Sequence, residues 1–444
     1  MSTREKYVVA VVGGAVAGSE AAAQFLAAGI PCVLIEQNER PYGKIEDGLP
    51  KWHVKLRDQE YAKIDTRLDH PHLHFVPQTR LGEHLRLDDV LSWGFSAVVL
   101  ANGAWRDRPL PLEGVDAYVG KGLYYQNPFT YWFNHYDEKG YSGPQYDVAD
   151  AMIVVGGGLA SIDIVKMLQL ELVGRALKAK GHAADVVELE HSGVPKALEK
   201  LGVKYEDLGL KGCTLFYRRT AEDMPLADPP DNPTPEQLAK SRTVSAKLLQ
   251  IAMKKYLFNF QPQRAPAAPI VEDGRLVGLK FNETQIEGKK VTVLKDVVHE
   301  VRGPLTISSI GSIPLPIPDL PMKGETYDIE NEDTGKLRGP ASLYAVGNAV
   351  TGKGNINVSY KHARAVTAHM LETYLVGDSG ALDVSGSGAA ETAANIAQAV
   401  KAAAPLDDKQ RADIMTRVRQ LQTRAGFEGG YKPYIEKHRP PPRV

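Results

Sequence analysis

The chain has 444 residues, 43% of them hydrophobic and 24% charged, with a formal net charge of −1 at pH 7. At about 100 to 200 residues per domain, that length accommodates two or three domains with a sizeable buried core. The near-neutral balance excludes a global attraction to nucleic acid or to an anionic membrane. The two cysteines, Cys32 and Cys213, each lie in an apolar run. They exclude a disulfide framework, a CxxC redox pair and a cysteine-ligated iron-sulfur cluster within the chain, so any redox centre is a bound cofactor. No metal site is expected.

Arg4 and Lys6 ahead of the apolar run at 7–17 look like the start of a secretory signal, but Glu20 stands where the cleavage region would lie. The run also continues into a strand-turn-helix pattern that cleavage would destroy. Without a stretch of about 18 uninterrupted apolar residues no membrane span is expected, and a cytoplasmic location follows.

Residues 7–12 read as a short β-branched strand, 19–28 as a helix of small residues and 31–36 as a second strand, with a Gly-rich turn after the first: a βαβ unit. The run 98–101 is a buried strand ending at Asn102 and Gly103, and 124–136 is an aromatic-rich connector. The βαβ pattern recurs from Met152, with a turn at 156–158, a helix through Leu172 and, after an insertion at 174–212, a strand at 214–217. Beyond a proline-rich loop at 225–235 the spacing predicts a helix over 236–256 and hairpins turning at Asp273-Gly274 and Glu287-Gly288. Short buried strands at 305–313 and 342–346 and a helix at 357–375 complete the first domain. Residues 377–388 read as a Gly/Ser linker, followed by helices near 389–403 and 407–424 and a basic, proline-rich end. The fold class is therefore α/β, with two Rossmann-like dinucleotide-binding domains, 1–120 with 305–376 and 121–304, plus a helical C-terminal extension at 377–444.

A dinucleotide loop needs small residues where a strand turns into a helix, where backbone approaches the pyrophosphate, and where helix and strand pack closely. The first loop supplies Gly13, Ala15 and Gly18, with Ala15 in place of the middle glycine. Glu36 ends the next strand about 20 residues on, where a carboxylate accepts hydrogen bonds from a ribose diol. The second loop supplies Gly156, Gly158 and Ser161, with Leu159 and Ala160 at the helix start facing phosphate. Its following strand ends in Arg218 and Arg219 rather than in an acid. Paired guanidinium groups suit a 2′-phosphate, which points to NADPH; two solvated surface arginines would look the same in sequence. One chain with an acid after one loop and arginines after the other is arranged for two different dinucleotides, and hydride transfer from nicotinamide to flavin is the chemistry such a pair performs.

The order of blocks over about residues 7 to 375 resembles the adrenodoxin reductase-like and glutamate synthase small-subunit-like NADPH flavoproteins. The blocks are VVGGAVAG with Glu36, PYGKIEDGLPKWHVK, VVLANGA, GGGLASID, YRRTAEDMP, ISSIGSIP and LYAVGNAVTGKGNI. The resemblance implies a glutathione/adrenodoxin reductase-like architecture in which the first domain binds FAD and the second NADPH. It implies that His53 lies beside the flavin with Asp163 as its polar partner, organising the site for hydride transfer. It further implies that Gly103, Gly347, Asn348, Gly354, Asn355 and Ile356 contact FAD, with Asn348 where the family carries an aspartate.

Electrons then leave for a separate carrier. The resemblance places a ferredoxin-like iron-sulfur acceptor first and a place as electron-input subunit of a hetero-oligomer close behind. The insertion 174–212 and the basic tail are candidate docking surfaces for such a partner, although insertions and tails more often pack on their own domain. A flavin monooxygenase or oxidase remains a third reading, with Trp132, Phe133 and Tyr136 available to line an apolar pocket.

Overall fold

The computed structural model describes residues 6–230, 232–340, 342–352, 356–371 and 405–440. Gly354, Asn355, the linker at 377–388 and the helix expected over 389–403 lie outside them. The chain divides into two compact units, Met1–Leu49 with Val54–Arg106 and Ser312–Val444, and Pro50–His53 with Asp107–Gly311.

In the first unit, β1 (Val9–Val12), β2 (Cys32–Ile35), β3 (Leu73–Val76) and β4 (Ala97–Leu100) are parallel. They continue through Leu343–Ala345 into two short antiparallel strands, giving a seven-stranded sheet with β3 at one edge. β1, β2 and β4 are buried along their whole length, which is why they read as continuous apolar runs and not as an alternation. Between β1 and β2 runs α1 (Val16–Ala27), three residues earlier at its start than the small-residue run suggests. Ala21, Ala22 and Phe25 turn its inner face to the sheet core.

The second unit repeats the plan. Its five-stranded sheet is parallel, in the order Leu123–Tyr125, Thr306–Ser309, β5 (Ile153–Gly156), β6 (Thr214–Phe216) and Asn259–Gln261. After β5 comes α2 (Leu159–Ala179), about two turns longer than its sequence pattern indicates because Val173 and Leu177 remain fully buried. The insertion folds onto this unit: Leu189, Val194 and Leu198 of two short helices join its core. α3 (Pro235–Tyr256) starts at a capping box between Thr234 and Gln237 with Pro235 in the first turn. The two expected hairpins form one three-stranded antiparallel sheet over 264–302.

The last described segment belongs to the first unit. α4 (Asp408–Arg424), capped by Asp407 and Gln410, buries Ile414 and Val418 beside Val76, Leu87 and Val90. α5 (Tyr431–Lys437) sends Tyr431 and Tyr434 edge-on to Phe75, with ring centroids 5.3 and 5.9 Å away. Gln422 donates a hydrogen bond of 2.9 Å to the Phe75 carbonyl on the edge strand, so the tail covers a sheet edge that would otherwise be open to pairing. No described helix is long and apolar enough to cross a membrane.

Phe75 is fully buried and carries this junction. Phe75→Ala should cost about 3–5 kcal/mol of stability in urea denaturation; a loss under about 1 kcal/mol would mean that the tail is not held by this aromatic contact.

Candidate functional site

The first cradle begins where β1 ends. Gly13 has φ +96°, and a Cβ there would come 2.6 Å from the Ala101 carbonyl oxygen. A Cβ on Gly18 would lie 1.7 Å from the Gly13 carbonyl oxygen, so the helix passes this close to the strand only with hydrogen at residue 18. Ala15 is the residue before α1 and gives it no side-chain cap. Its methyl group faces Gly43, where a Cβ would stand 3.0 Å away; the carbon gained at residue 15 is matched by one absent at residue 43. The first turn of α1 carries no acidic side chain, which leaves its leading N–H groups and positive dipole end available to an anion.

Gly13, Ala15, Gly43 and Ala101 line a cavity of about 470 Å3 in the first unit, within the range of cofactor pockets. Glu36 lines the same cavity and is 3% exposed. Its Oε2 accepts the Gly14 N–H at 2.7 Å and its Oε1 the Asn38 N–H at 2.9 Å. Burial pushes its carboxyl up to about 7, with Asp47 adding to the rise and the backbone N–H bonds opposing it. Gly103 (φ +67°), Asn348 and Ile356 also line the cavity. Gly347, beside Asn348, has φ +71° and no room for a side chain, since a Cβ would meet that of Ala17 at 2.6 Å.

Asn348 Oδ1 is buried without a hydrogen-bond partner, as is Asn102 Oδ1, whose Nδ2 donates to the Tyr327 hydroxyl at 2.7 Å. Two orphaned acceptors beside an open helix start and a buried carboxylate fit a diphosphate dinucleotide rich in sugar hydroxyls, as FAD is. Thr79, Lys44 and Trp105 line the same cavity and had no motif to announce them, although Gly43-Lys44 stands in the block that carries the family resemblance.

The second cradle lies at the end of β5. A Cβ on Gly156 would come 2.4 Å from the Ser309 carbonyl oxygen and 2.6 Å from the Ser161 Cβ. Ser161 is fully buried, with its hydroxyl donating to the Gly158 carbonyl at 2.6 Å. A Cβ on Gly157 would fall 2.0 Å from the Tyr217 ring, whereas one on Gly158 would meet nothing within 4 Å. Gly158, Leu159 and Ala160 therefore form an open surface at the start of α2, with Leu159 58% exposed, uncapped and without an acid in the first turn.

The arginine pair divides. Arg218 is exposed, and its guanidinium makes no hydrogen bond or ion pair among the described residues. Arg219 donates to the carbonyls of Lys289 and Gly288 at 3.0 and 3.1 Å and lies 3.5 Å from Asp223. It is committed to tying the strand end to the hairpin turn.

His53 and Asp163 both belong to the second unit. Asp163 lies 3.7 Å from Lys166, which is 3.0 Å from Glu190 and sits 4.5 Å over the ring of Trp52, the neighbour of His53. Burial pushes the Asp163 carboxyl up to about 6, with Lys166 opposing and Glu190 adding. Lys166, on the helix face three residues from Asp163, is a participant that the sequence pattern did not single out. The connector aromatics Trp132 and Phe133 are 3% and 0% exposed and belong to the hydrophobic core of the unit, with Tyr136 packed against it. Both cysteines are buried, and burial pushes their thiols up, Cys213 to about 12, so neither supplies a thiolate.

Adding a methyl group at two positions of the second loop should separate packing from ligand approach. Gly158→Ala should change stability by under about 1 kcal/mol and Gly156→Ala by more than about 3 kcal/mol in chemical denaturation; equal costs would contradict the geometry. A Glu36 carboxyl with a raised folded value holds its proton more tightly in the folded state than in the unfolded chain. Its stability contribution is present below the ordinary value of 4.5 and is lost as pH rises toward about 7. In the cofactor-free protein, Glu36→Gln should flatten the fall in stability over that window, as read by urea midpoints across pH; an unaltered profile would place the titration elsewhere.

No protein-family model matches the chain. Among curated proteins it is 30% identical over 139 residues to "Cindoxin reductase" of Citrobacter braakii, 31% of this chain and 28% of that one. It is 31% identical over 160 residues to "Glutamate synthase [NADPH] small chain" of Bacillus subtilis, 35% of this chain and 31% of that one. A longer match, 24% identical over 360 residues, is to "Probable ferredoxin/ferredoxin--NADP reductase" of Mycobacterium bovis and takes in 76% of this chain and 58% of that one. The chain thus spans about a third of the length of the first two relatives and under two thirds of the third. Among solved structures, FprA from Mycobacterium tuberculosis, as its His57Gln mutant, superposes with a TM-score of 0.66 at 19% identity, covering 94% of this chain and 90% of that one. FprA in complex with NADPH gives 0.65 at 18% identity. The chain therefore shares the two-Rossmann-domain fold of FprA, and its sequence is similar to proteins named glutamate synthase small chain and ferredoxin--NADP reductase.

Proposed function

We propose that the chain is an FAD-dependent NADPH oxidoreductase that passes electrons to an iron-sulfur protein. The observation that carries this reading is the pair of unlike cradles, one lined by the buried Glu36 and the other flanked by the unpartnered Arg218. The relatives named cindoxin reductase, glutamate synthase small chain and ferredoxin--NADP reductase agree with it.

In this reading Gly13, Ala15 and Gly18 let the start of α1 reach the FAD pyrophosphate, while Glu36 takes the ribose hydroxyls. Asn348 and Asn102 offer their free acceptors to hydroxyl or ring N–H donors, and Gly103, Gly347 and Ile356 shape the wall. Gly354 and Asn355 are assigned to FAD by the family resemblance. Gly156, Gly158, Leu159, Ala160 and Ser161 present the start of α2 to the NADPH pyrophosphate. Arg218 binds the 2′-phosphate, with Arg219 fixing the strand end from which Arg218 projects. Bound FAD supplies a two-electron acceptor for reduced nicotinamide and can release those electrons singly. His53 and Asp163 orient groups at the nicotinamide, and Lys166 pairs with the Asp163 carboxylate at 3.7 Å, so that alignment and not a strong base is what the chain contributes. The acceptor's cluster is not held by Cys32 or Cys213, both of which are buried.

A second reading, an electron-input subunit of a hetero-oligomer, is favoured by the relatives named as a small chain or subunit beta. It is also favoured by an exposed apolar stripe on α3, where Leu248 and Ile251 are 41% and 51% exposed. A stable complex on co-purification would support it; full turnover by the isolated chain with a ferredoxin would support the first.

Purified protein should carry, or take up, FAD and be bleached by NADPH; absence of both would overturn the oxidoreductase reading. Arg218→Ala should raise the KM for NADPH roughly tenfold or more and leave that for NADH unchanged. Arg219→Ala should instead lower stability with a smaller change in preference. An unchanged coenzyme preference in Arg218→Ala would remove the 2′-phosphate assignment.

A further inference from the structure

We propose that the C-terminal segment 405–440 is a clasp that sets how long the first cradle retains its dinucleotide, acting through the short stretch 40–43. The proposal rests on the reading of that cradle as an FAD site.

The stretch 40–43 lies directly on the phosphate loop. A Cβ on Gly14 would come 2.5 Å from the Pro41 Cβ, and one on Gly43 would come 3.0 Å from the Ala15 methyl carbon. This stretch and the loop cannot separate without opening the wall of the cavity. On its other side the stretch is held by the tail. Arg40 donates to the His438 carbonyl at 2.9 Å. The Tyr42 hydroxyl reaches the Asp65 carboxylate at 3.1 Å, and the Tyr431 hydroxyl reaches the same carboxylate at 2.8 Å. A third tie is to the cavity wall itself: Arg424 donates at 3.2 Å to the hydroxyl of Thr79, which is 1% exposed and lines the cavity beside Glu36. The Thr79 N–H bonds the Glu36 carbonyl at 2.8 Å. The tail therefore grips the cradle at two independent places, the phosphate loop through 40–43 and the proposed ribose end through Thr79.

The expected coupling is thermodynamic. If the docked tail favours the closed cradle, FAD in that cradle favours the docked tail by the same factor. Arg424 and Tyr431 act as positioning residues, since neither faces the cavity.

The test uses the full chain loaded with FAD and a Tyr431→Phe/Arg424→Ala double variant, with release followed by recovery of flavin fluorescence after dilution. The double variant should release FAD about tenfold faster, the change expected from losing two ordinary hydrogen bonds, while the melting temperature of its apoprotein stays within about 2 °C of wild type. A chain ending at residue 404 should release faster still; if it does not fold, the double variant decides. Saturating FAD should also slow tryptic cleavage within 405–440 of the wild type. Unchanged release by the double variant, or release that rises only in step with a lowered apoprotein melting temperature, would overturn the clasp. Wild-type protein that binds no FAD would overturn the proposed function and the clasp together, whereas wild-type binding with unchanged variant release would overturn the clasp alone.

Discussion

A Cβ at residue 18 would stand only 1.7 Å from the carbonyl oxygen of Gly13, and much of the site follows from that constraint. Because α1 passes so near the strand end, its leading N–H groups arrive at the mouth of the sheet and not beyond it. The second unit meets the same demand with a different distribution of atoms. The turn residue in each unit faces a carbonyl from the neighbouring strand, Ala101 for Gly13 and Ser309 for Gly156, at 2.6 and 2.4 Å from where a Cβ would be. On the helix side the first cradle removes the side chain altogether at Gly18, whereas the second keeps Ser161, whose Cβ then enforces glycine at 156.

Charge separates the two cradles as surely as packing unites them. Glu36 is drawn into its own loop by the N–H groups of Gly14 and Asn38, which uses two of the roughly four acceptor directions of a carboxylate. The remaining capacity faces a cavity where sugar hydroxyls would be its best partners. At the corresponding place in the second unit the side chain extends outward, cationic and unclaimed. A buried, partly satisfied acid suits a permanently resident ligand, and an exposed cation suits one that comes and goes.

The sheets, the two loops and the acid-versus-arginine contrast were readable because each rests on a local rule: continuous apolar runs for parallel strands, small residues at sharp turns, strand-end polarity. What escaped was set by tertiary partners. Arg218 and Arg219 are indistinguishable in sequence, and only the hairpin carbonyls at 288 and 289 decide that one is structural and the other free. Ala15 replaces the middle loop glycine, and the room for its methyl group is made by Gly43, outside the loop motif. Lys166 sits in a helix with nothing to mark it, since its environment is made by Trp52, Glu190 and Tyr256 from three other places in the chain. The tail read as an appendage because its aromatic residues are spaced to meet Phe75, a partner more than 350 positions away that no local window contains.

The ring of Tyr217 over Gly157 links two positions in the history of the chain. Any side chain at 157 would begin inside that ring, so residue 157 is free to vary only after residue 217 has become small, and the hydroxyl that Tyr217 gives to the Asp223 carbonyl at 3.0 Å would be surrendered in the exchange. Descendants of this sequence should therefore alter the pair in one order, 217 before 157. A related chain with a bulkier residue at 157 should be found to carry a reduced one at 217.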